Sequence, residues 1–124
     1  MARELTVRRM TFVGFFLLLL CLATGQAMAH ALLDRAEPRV GNTVATAPRE
    51  VTLWFTQKLE SVFSTVTVTN AAGQRVDTGK ARVSGNQMSV SLRSGGPGTY
   101  HVNWSVLSVD AHRTEGNFSF QVGQ

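Results

Sequence analysis

The sequence predicts an all-β fold, a small antiparallel β-sandwich or barrel built as one domain. Two observations lead to this prediction. Apolar and polar residues alternate in five short runs after residue 50, and stretches rich in glycine, proline or asparagine flank these runs. Alternation sends every second side chain to the same face of a strand, and several short strands bounded by turns are typical of sandwiches and barrels.

Each run has an apolar face that is expected to form the core. The residues on these faces are Val51, Leu53 and Phe55; Val66 and Val68; Met88, Val90 and Leu92; Tyr100, Val102, Trp104 and Val106; and Phe118, Phe120 and Val122. The flanking stretches EPRVGN, NAAGQ, SGN and SGGPG consist of residue types that favour turns. Trp54 falls on the polar face of its run, either as an exposed contact site or as a packing residue, and we favour packing.

Residues 57–63, QKLESVF, are the one candidate for a helix after residue 30. The segment is equally consistent with a loop that contributes Leu59 and Phe63 to the core. No helical apolar stripe of convincing length, internal repeat, low-complexity stretch or linker follows residue 30. The sequence therefore predicts a single domain over residues 30–124.

Residues 1–29 are expected to be a secretory signal peptide that is cleaved from the mature chain. Three arginines precede a mostly apolar run at 12–22, and the small-residue site Ala-Met-Ala follows at 27–29. The alternative, a membrane anchor, requires about 20 apolar residues, and this run is shorter. A lipoprotein modified at Cys21 is disfavoured because Leu20 stands where a small residue is expected.

Cleavage changes the charge and the cysteine content of the chain. Three arginines and one glutamate leave with residues 1–29, so the net charge falls from +4 to +2. No cluster of Lys and Arg remains that would indicate nucleic-acid binding. The only cysteine also leaves, so an exported domain without a disulfide must be held together by its core. We expect neither nucleic acid nor, after cleavage, a membrane as a partner.

Three histidines remain after cleavage, and two of them are candidate metal ligands. His101 lies opposite the apolar face of its run and is interpreted as a solvent-facing strand residue. Asp110 and His112 are two apart, a spacing that in an extended segment sends both side chains to one side, where they can share a metal ion. Taken alone, Asp-x-His is common, and a hydrogen bond on a solvated loop is the better explanation of it.

His30 becomes the first residue of the chain if cleavage follows Ala29. Its free α-amine and its own Nδ1 can then close a six-membered chelate ring on a metal. An unperturbed α-amine has a pKa of about 7.7–8.0, so a metal can displace its proton near neutral pH. Together with His112 and Asp110 this makes an N,N,N,O set, which suits Cu(II). Zn(II) more often takes a tetrahedral set with thiolates or further histidines.

The same residues resemble the CopC copper-resistance family. The resemblance covers essentially the whole mature chain, through HALLDRAEPRVGNTVATAPREVTLWFTQKL and GTYHVNWSVLSVDAHRTEGNFSFQV. Its most specific parts are the first histidine, the P…G…P segment and GTY-x-V-x-W…S-x-D-x-H…G-x-F-x-F. It implies a periplasmic Greek-key, immunoglobulin-like sandwich that binds Cu(II) through His30, Asp110 and His112 in copper resistance or homeostasis. The resemblance also makes an inner-membrane copper transporter of the CopD kind a candidate partner.

Two departures from the family pattern bear on the site. Some relatives bind Cu(I) through a methionine-rich stretch, but Met88 is the only methionine left after cleavage, and its phase predicts a core residue. A thioether site for Cu(I) is therefore not expected. Relatives often have a glutamate after the F-[ST] of the first strong strand, where this chain has Gln57. Gln57 is a candidate for orienting a ligand or a water from behind the metal-binding residues.

Three function classes are consistent with these residues. The favoured one is a Cu(II) carrier or buffer without enzymatic activity or catalytic residues, because a fully occupied equatorial plane leaves little room for substrate. The second is a copper-dependent oxidative enzyme of the histidine-brace type, which resembles this site except that Asp110 would fill the position that oxygen needs. The third is a metal-free β-sandwich interaction module in which His30 is incidental.

Overall fold

In the computed structural model, which describes residues 30–123, eight strands form two four-stranded sheets whose apolar faces meet. The strands are β1 (Leu33–Glu37), β2 (Thr43–Val44), β3 (Glu50–Phe55), β4 (Thr65–Thr69), β5 (Asp77–Ser84), β6 (Gln87–Leu92), β7 (Gly98–Leu107) and β8 (Arg113–Val122). One sheet has the order β1-β3-β6-β5 and the other β2-β8-β7-β4. The predicted signal peptide, with its Cys21, lies outside the described residues, as does the last residue of the predicted domain.

The predicted fold class is confirmed, with one irregularity. The described strands pair antiparallel throughout, except that the two-residue strand β2 runs parallel to β8. Every residue on the five predicted apolar faces is buried apart from Leu92, which is half-buried. Phe55 of one sheet and Trp104 of the other meet edge to face with ring centroids 5.0 Å apart. The core therefore fills the space between the sheets.

Three strands, β1, β2 and β5, lack the alternation that predicts a strand. Each lies at the edge of its sheet, where one side of the strand has no neighbour in the sheet. Edge strands are commonly short and charged, because these features discourage pairing with other chains. β1 and β5 accordingly read LDRAE and DTGKARVS, and their outward residues are polar.

Residues 57–63 form a loop with a single 3-10 turn at Ser61–Phe63. Leu59 is buried, as predicted for a loop, but the prediction for Phe63 is wrong because its side chain is 55% exposed. The reason is strand phase. Ser64 is buried, and its Oγ accepts a hydrogen bond from the Leu107 N–H at 3.2 Å. From Ser64 into β4, the inward positions are therefore 64, 66 and 68. Phe63 therefore falls on the outward phase.

The packing interpretation of Trp54 is confirmed. Its ring is half-buried on the outer face of β3, and the guanidinium carbon of Arg35 on β1 lies 3.9 Å from the ring centroid. This cation–π contact packs the guanidinium over one face of the indole. Among residues 30–123, no helix has the length and apolar character needed to cross a bilayer.

Candidate metal centre

Asp110 and His112 lie in the loop of the hairpin that joins β7 to β8. The Ser108 N–H donates to the His112 carbonyl at 3.0 Å, and the Ala111 N–H donates to the Ser108 carbonyl at 2.9 Å. These two bonds close the loop at its base. The loop therefore presents both predicted ligands at one end of the sandwich.

The route by which the two side chains meet differs from the extended segment that their spacing suggested. The chain turns between them, with Ala111 in the left-handed region at φ 69°. A left-handed conformation places the Cβ of an L-residue close to its own backbone, at a cost of about 1–2 kcal/mol. Asp110 and His112 are thus neighbours because of a strained turn.

We expect Ala111→Gly to raise the free energy of unfolding by about 0.5–1 kcal/mol. Relief of the left-handed strain exceeds the added flexibility of glycine in the unfolded chain, which is worth about 0.4–1 kcal/mol. Urea unfolding measures the change. The matched control is Ala72→Gly, in another exposed turn, because no other non-glycine residue between His30 and Gly123 has positive φ. Ala72→Gly should lower stability, and a loss of stability in Ala111→Gly would contradict the strain.

The carboxylate of Asp110 faces His112 on one side and Ser108 on the other. Its Oδ2 lies 3.4 Å from Nδ1 of His112, and its Oδ1 accepts a hydrogen bond from the Ser108 hydroxyl. The Ser108 hydrogen bond lowers the pKa of Asp110, burial opposes this, and His112 lowers the pKa further. The carboxylate is therefore ionised at neutral pH, the form that binds a metal.

His30 lies against the same loop. Its ring centroid is 4.9 Å from that of His112, and the two planes are nearly perpendicular at 86°. His30 is exposed, and the side chains of His112 and Asp110 are 46% and 42% exposed. The structure thus brings all three predicted ligands to one surface of the molecule.

The residues that follow His30 hold it in this place. Ala31 is completely buried, and its carbonyl accepts a hydrogen bond from the Thr114 hydroxyl at 2.6 Å. Leu32 exchanges two bonds with Thr56: its N–H donates to the threonine Oγ1 at 2.9 Å, and its carbonyl accepts from the threonine N–H at 2.9 Å. Thr56 follows β3 and Thr114 lies on β8, so the segment is fastened to both sheets.

The three predicted ligands form two neighbouring pairs rather than a closed cage. In the part of the chain that the structure describes, no three His, Cys, Asp or Glu side chains converge closely enough to hold a metal ion. His30 meets His112, and His112 meets Asp110. Convergence on one point needs rotation of the two imidazole side chains, which are exposed to solvent and can move between staggered rotamers.

Gln57 lies near the predicted ligands but forms no hydrogen bond with them. It directly follows Thr56 and lines an open groove of about 410 Å³ with Lys58, Asn86 and Val109. The Val109 N–H donates to the Lys58 carbonyl at 3.0 Å, which brings this segment next to the hairpin loop. Within the described range, its side chain makes no hydrogen bond to the three ligands, so its supporting role stays a prediction.

The remaining sequence candidates lie away from the site. His101 is exposed on β7 between Thr69 and Ser119, as predicted for a solvent-facing strand residue. Met88 is fully buried in β6. Reasoning from the sequence missed the roles of Ser108, Thr56 and Thr114. Only the first had a signal, as the serine of the S-x-D-x-H motif.

A comparison with protein families decides where the domain belongs. Residues 33–123 match the family model described as the CopC domain. The chain belongs to the CopC family. Asp110 and His112 lie within the matched residues of this CopC domain, whereas His30 precedes them.

Individual relatives span nearly the whole CopC domain. Protein YobA of Escherichia coli strain K12 is 35% identical over 105 residues, which cover 82% of this chain and 85% of that protein. Copper resistance protein C of Xanthomonas campestris pv. juglandis is 34% identical over 110 residues, covering 82% and 86%. The crystal structure of CopC from Methylosinus trichosporium OB3b superposes with a TM-score of 0.71 at 28% identity, over 76% of this chain and 94% of that one.

Proposed function

We propose that this CopC-family protein binds one Cu(II) ion through His30, Asp110 and His112, and acts as a periplasmic carrier or buffer of copper. The observation that carries the proposal is the meeting of the two imidazole rings at 4.9 Å beside the Asp110 carboxylate. The resemblance to a protein named copper resistance protein C supports copper as the metal.

The donor chemistry favours Cu(II). Two imidazoles, a carboxylate and the α-amine that cleavage before His30 exposes are nitrogen and oxygen donors, which suit tetragonal Cu(II). Cu(I) prefers soft sulfur ligands, and Met88, the only methionine among the described residues, is fully buried in the core. We therefore propose tight binding of Cu(II) and no comparable binding of Cu(I).

The exposure of the site suits exchange of the metal with a partner. The predicted ligands lie on a surface loop and a chain segment beside it, within reach of a protein that donates or accepts copper. An inner-membrane copper transporter of the CopD kind would be such a partner. The periplasmic location rests on the predicted signal peptide and on the relationship to copper resistance protein C.

Asp110→Ala tests the ligand set. The wild-type protein beginning at His30 should bind one equivalent of Cu(II) in a spectroscopic titration. Asp110→Ala should raise the Kd by at least about tenfold, the low end of what removal of a supporting group around a metal costs. Electron paramagnetic resonance should report the loss of an oxygen donor.

Asp34→Ala is the matched control because it removes an exposed carboxylate from β1 at the same end of the sandwich. It should leave both the Kd and the spectrum unchanged. An unchanged affinity in Asp110→Ala would show that Asp110 is not a ligand, and a second tight equivalent would contradict the single site.

The histidine-brace enzyme is distinguishable by its reaction with oxygen. Two histidines, one of them first in the mature chain, are common to both functions. We expect no copper-dependent oxygen uptake by the wild type in the presence of a reductant, because the Asp110 carboxylate would take the coordination position that oxygen needs. Sustained uptake that depends on bound copper would favour the enzyme.

A further inference from the structure

Ser108 is a fully buried polar residue directly beneath the predicted metal ligands. Its exposed fraction is 0%, and it pairs with Leu59 through an isolated antiparallel bridge. Leu59 is itself buried against the core. The backbone of Ser108 is therefore fixed, and its hydroxyl points out of the core toward the loop.

The Ser108 hydroxyl contacts both predicted ligands of the hairpin loop. It donates to Oδ1 of Asp110, and its Oγ lies 3.4 Å from the His112 N–H and 3.1 Å from the His112 carbonyl. A hydroxyl has a single proton, and an ionised carboxylate is a stronger acceptor than a carbonyl. The proton therefore goes to Asp110, and the oxygen accepts from the His112 N–H.

We propose that Ser108 is a positioning residue that selects which oxygen of Asp110 is presented to the metal. Because the hydroxyl occupies Oδ1, the free oxygen is Oδ2, which lies beside the imidazole of His112. The carboxylate is then held as a one-oxygen ligand before the metal arrives. Ser108 itself is buried behind the carboxylate and is not a ligand. This inference rests on the proposed function.

The physical advantage is preorganisation. An exposed aspartate samples several rotamers, and a metal must restrict them when it binds. A buried hydroxyl that already holds one oxygen removes part of this cost. Supporting groups of this kind typically change metal affinity by about 10–100-fold.

Ser108→Ala, compared with Ser64→Ala, tests the proposal. Both serines are buried, and the Ser64 hydroxyl accepts from the Leu107 N–H without contacting a predicted ligand. Ser108→Ala should raise the Kd for Cu(II) by about 10–100-fold and change the paramagnetic resonance spectrum. Ser64→Ala should change neither. Ser108→Thr, which keeps the hydroxyl, should retain most of the wild-type affinity and its spectrum.

A double-mutant cycle separates positioning of the carboxylate from general support of the loop. In the Asp110→Ala background, Ser108→Ala should have no further effect on the Kd, because its target is gone. An equal loss in both backgrounds would overturn the proposal, as would wild-type affinity and spectrum in Ser108→Ala. If the wild type itself does not bind Cu(II), the proposed function fails instead.

A measurement on the unsubstituted, metal-free protein does not depend on how the variants fold. The Ser108 hydroxyl proton should exchange slowly with water and be visible by proton NMR, because it is buried and bonded to a carboxylate. A hydroxyl proton in fast exchange with solvent would overturn the proposal.

Discussion

Retention of one residue before His30 should reduce the affinity for Cu(II) on the order of 100-fold or more, beyond the effect of losing a supporting group. The extra residue converts the α-amine into an amide and removes one nitrogen donor together with its chelate ring. The His30 imidazole should stay beside His112, because Ala31 and Leu32 remain fastened to Thr114 and Thr56. The change therefore isolates the contribution of the amine.

The comparison uses two proteins that differ by one glycine before His30. Competition with a chelator gives the two Kd values, and thermal unfolding of the metal-free proteins should be the same for both. Addition of one glycine after Gln124 is the control. Affinity of the wild type should fall as the pH falls, because protons compete for the nitrogen donors. The extended protein should show a shallower pH dependence. Equal affinities would refute the idea that cleavage builds the site.

Loss of Asp77 should cause a large decrease in stability. Its side chain is fully buried, and its carboxylate accepts hydrogen bonds from the N–H groups of Val68 at 2.8 Å and Gly79 at 2.9 Å. Arg75 adds an ion pair at 2.7 Å. Val68 lies on β4 of one sheet and Asp77 on β5 of the other, so the carboxylate joins the two sheets. We expect Asp77→Ala to lower the free energy of unfolding by about 2–4 kcal/mol, because the buried Val68 N–H loses its acceptor together with the other hydrogen bonds to the carboxylate.

Asp77 should also make stability depend on pH. Burial alone raises the pKa of Asp77, but the Arg75 guanidinium and the N–H groups of Val68 and Gly79 outweigh it, so the folded-state pKa lies below the ordinary value. The stabilisation is therefore complete above the ordinary aspartate pKa and is lost as the pH falls through the lower, folded-state pKa. Urea unfolding at several acidic pH values should show this loss in the wild type and a shallower slope in Asp77→Asn.

The ion pair between Glu50 and Arg82 is the matched control for Asp77. Its length is 2.8 Å, close to that of the Arg75–Asp77 pair, but its two side chains are 53% and 55% exposed. Solvent screens such pairs, and Glu50→Ala should cost less than about 1 kcal/mol. Comparable losses from both substitutions would show that burial of Asp77 contributes little. Cu(II) binding by folded Asp77→Ala should be unchanged, because Asp77 lies at the opposite end of the sandwich.

The fold class followed from the sequence because burial on one face of a strand leaves a local pattern. Val51, Leu53 and Phe55 alternate with polar residues and are buried as expected. The same pattern placed Met88 in the core. The edge strands β1 and β5 left no such pattern, because few of their side chains reach the core.

The candidate ligands could be predicted from the sequence for a chemical reason. A chain that begins at His30 has two nitrogen donors in one residue, and Asp110 and His112 are close in sequence. These are properties of single residues and short spacings, so they need no knowledge of the fold. That these residues bind Cu(II) stays a prediction.

Only the tertiary structure decided how the two halves of the site meet. Ala31 and Thr114 are 83 residues apart in sequence, and their hydrogen bond depends on how β8 lies against the first residues of the domain. The burial of Ser108 also depends on this arrangement, because its bridge partner Leu59 lies in a distant part of the sequence. Local pattern determines which side chains are inward, but contacts between distant segments arise from strand order and register, which no short stretch of sequence contains.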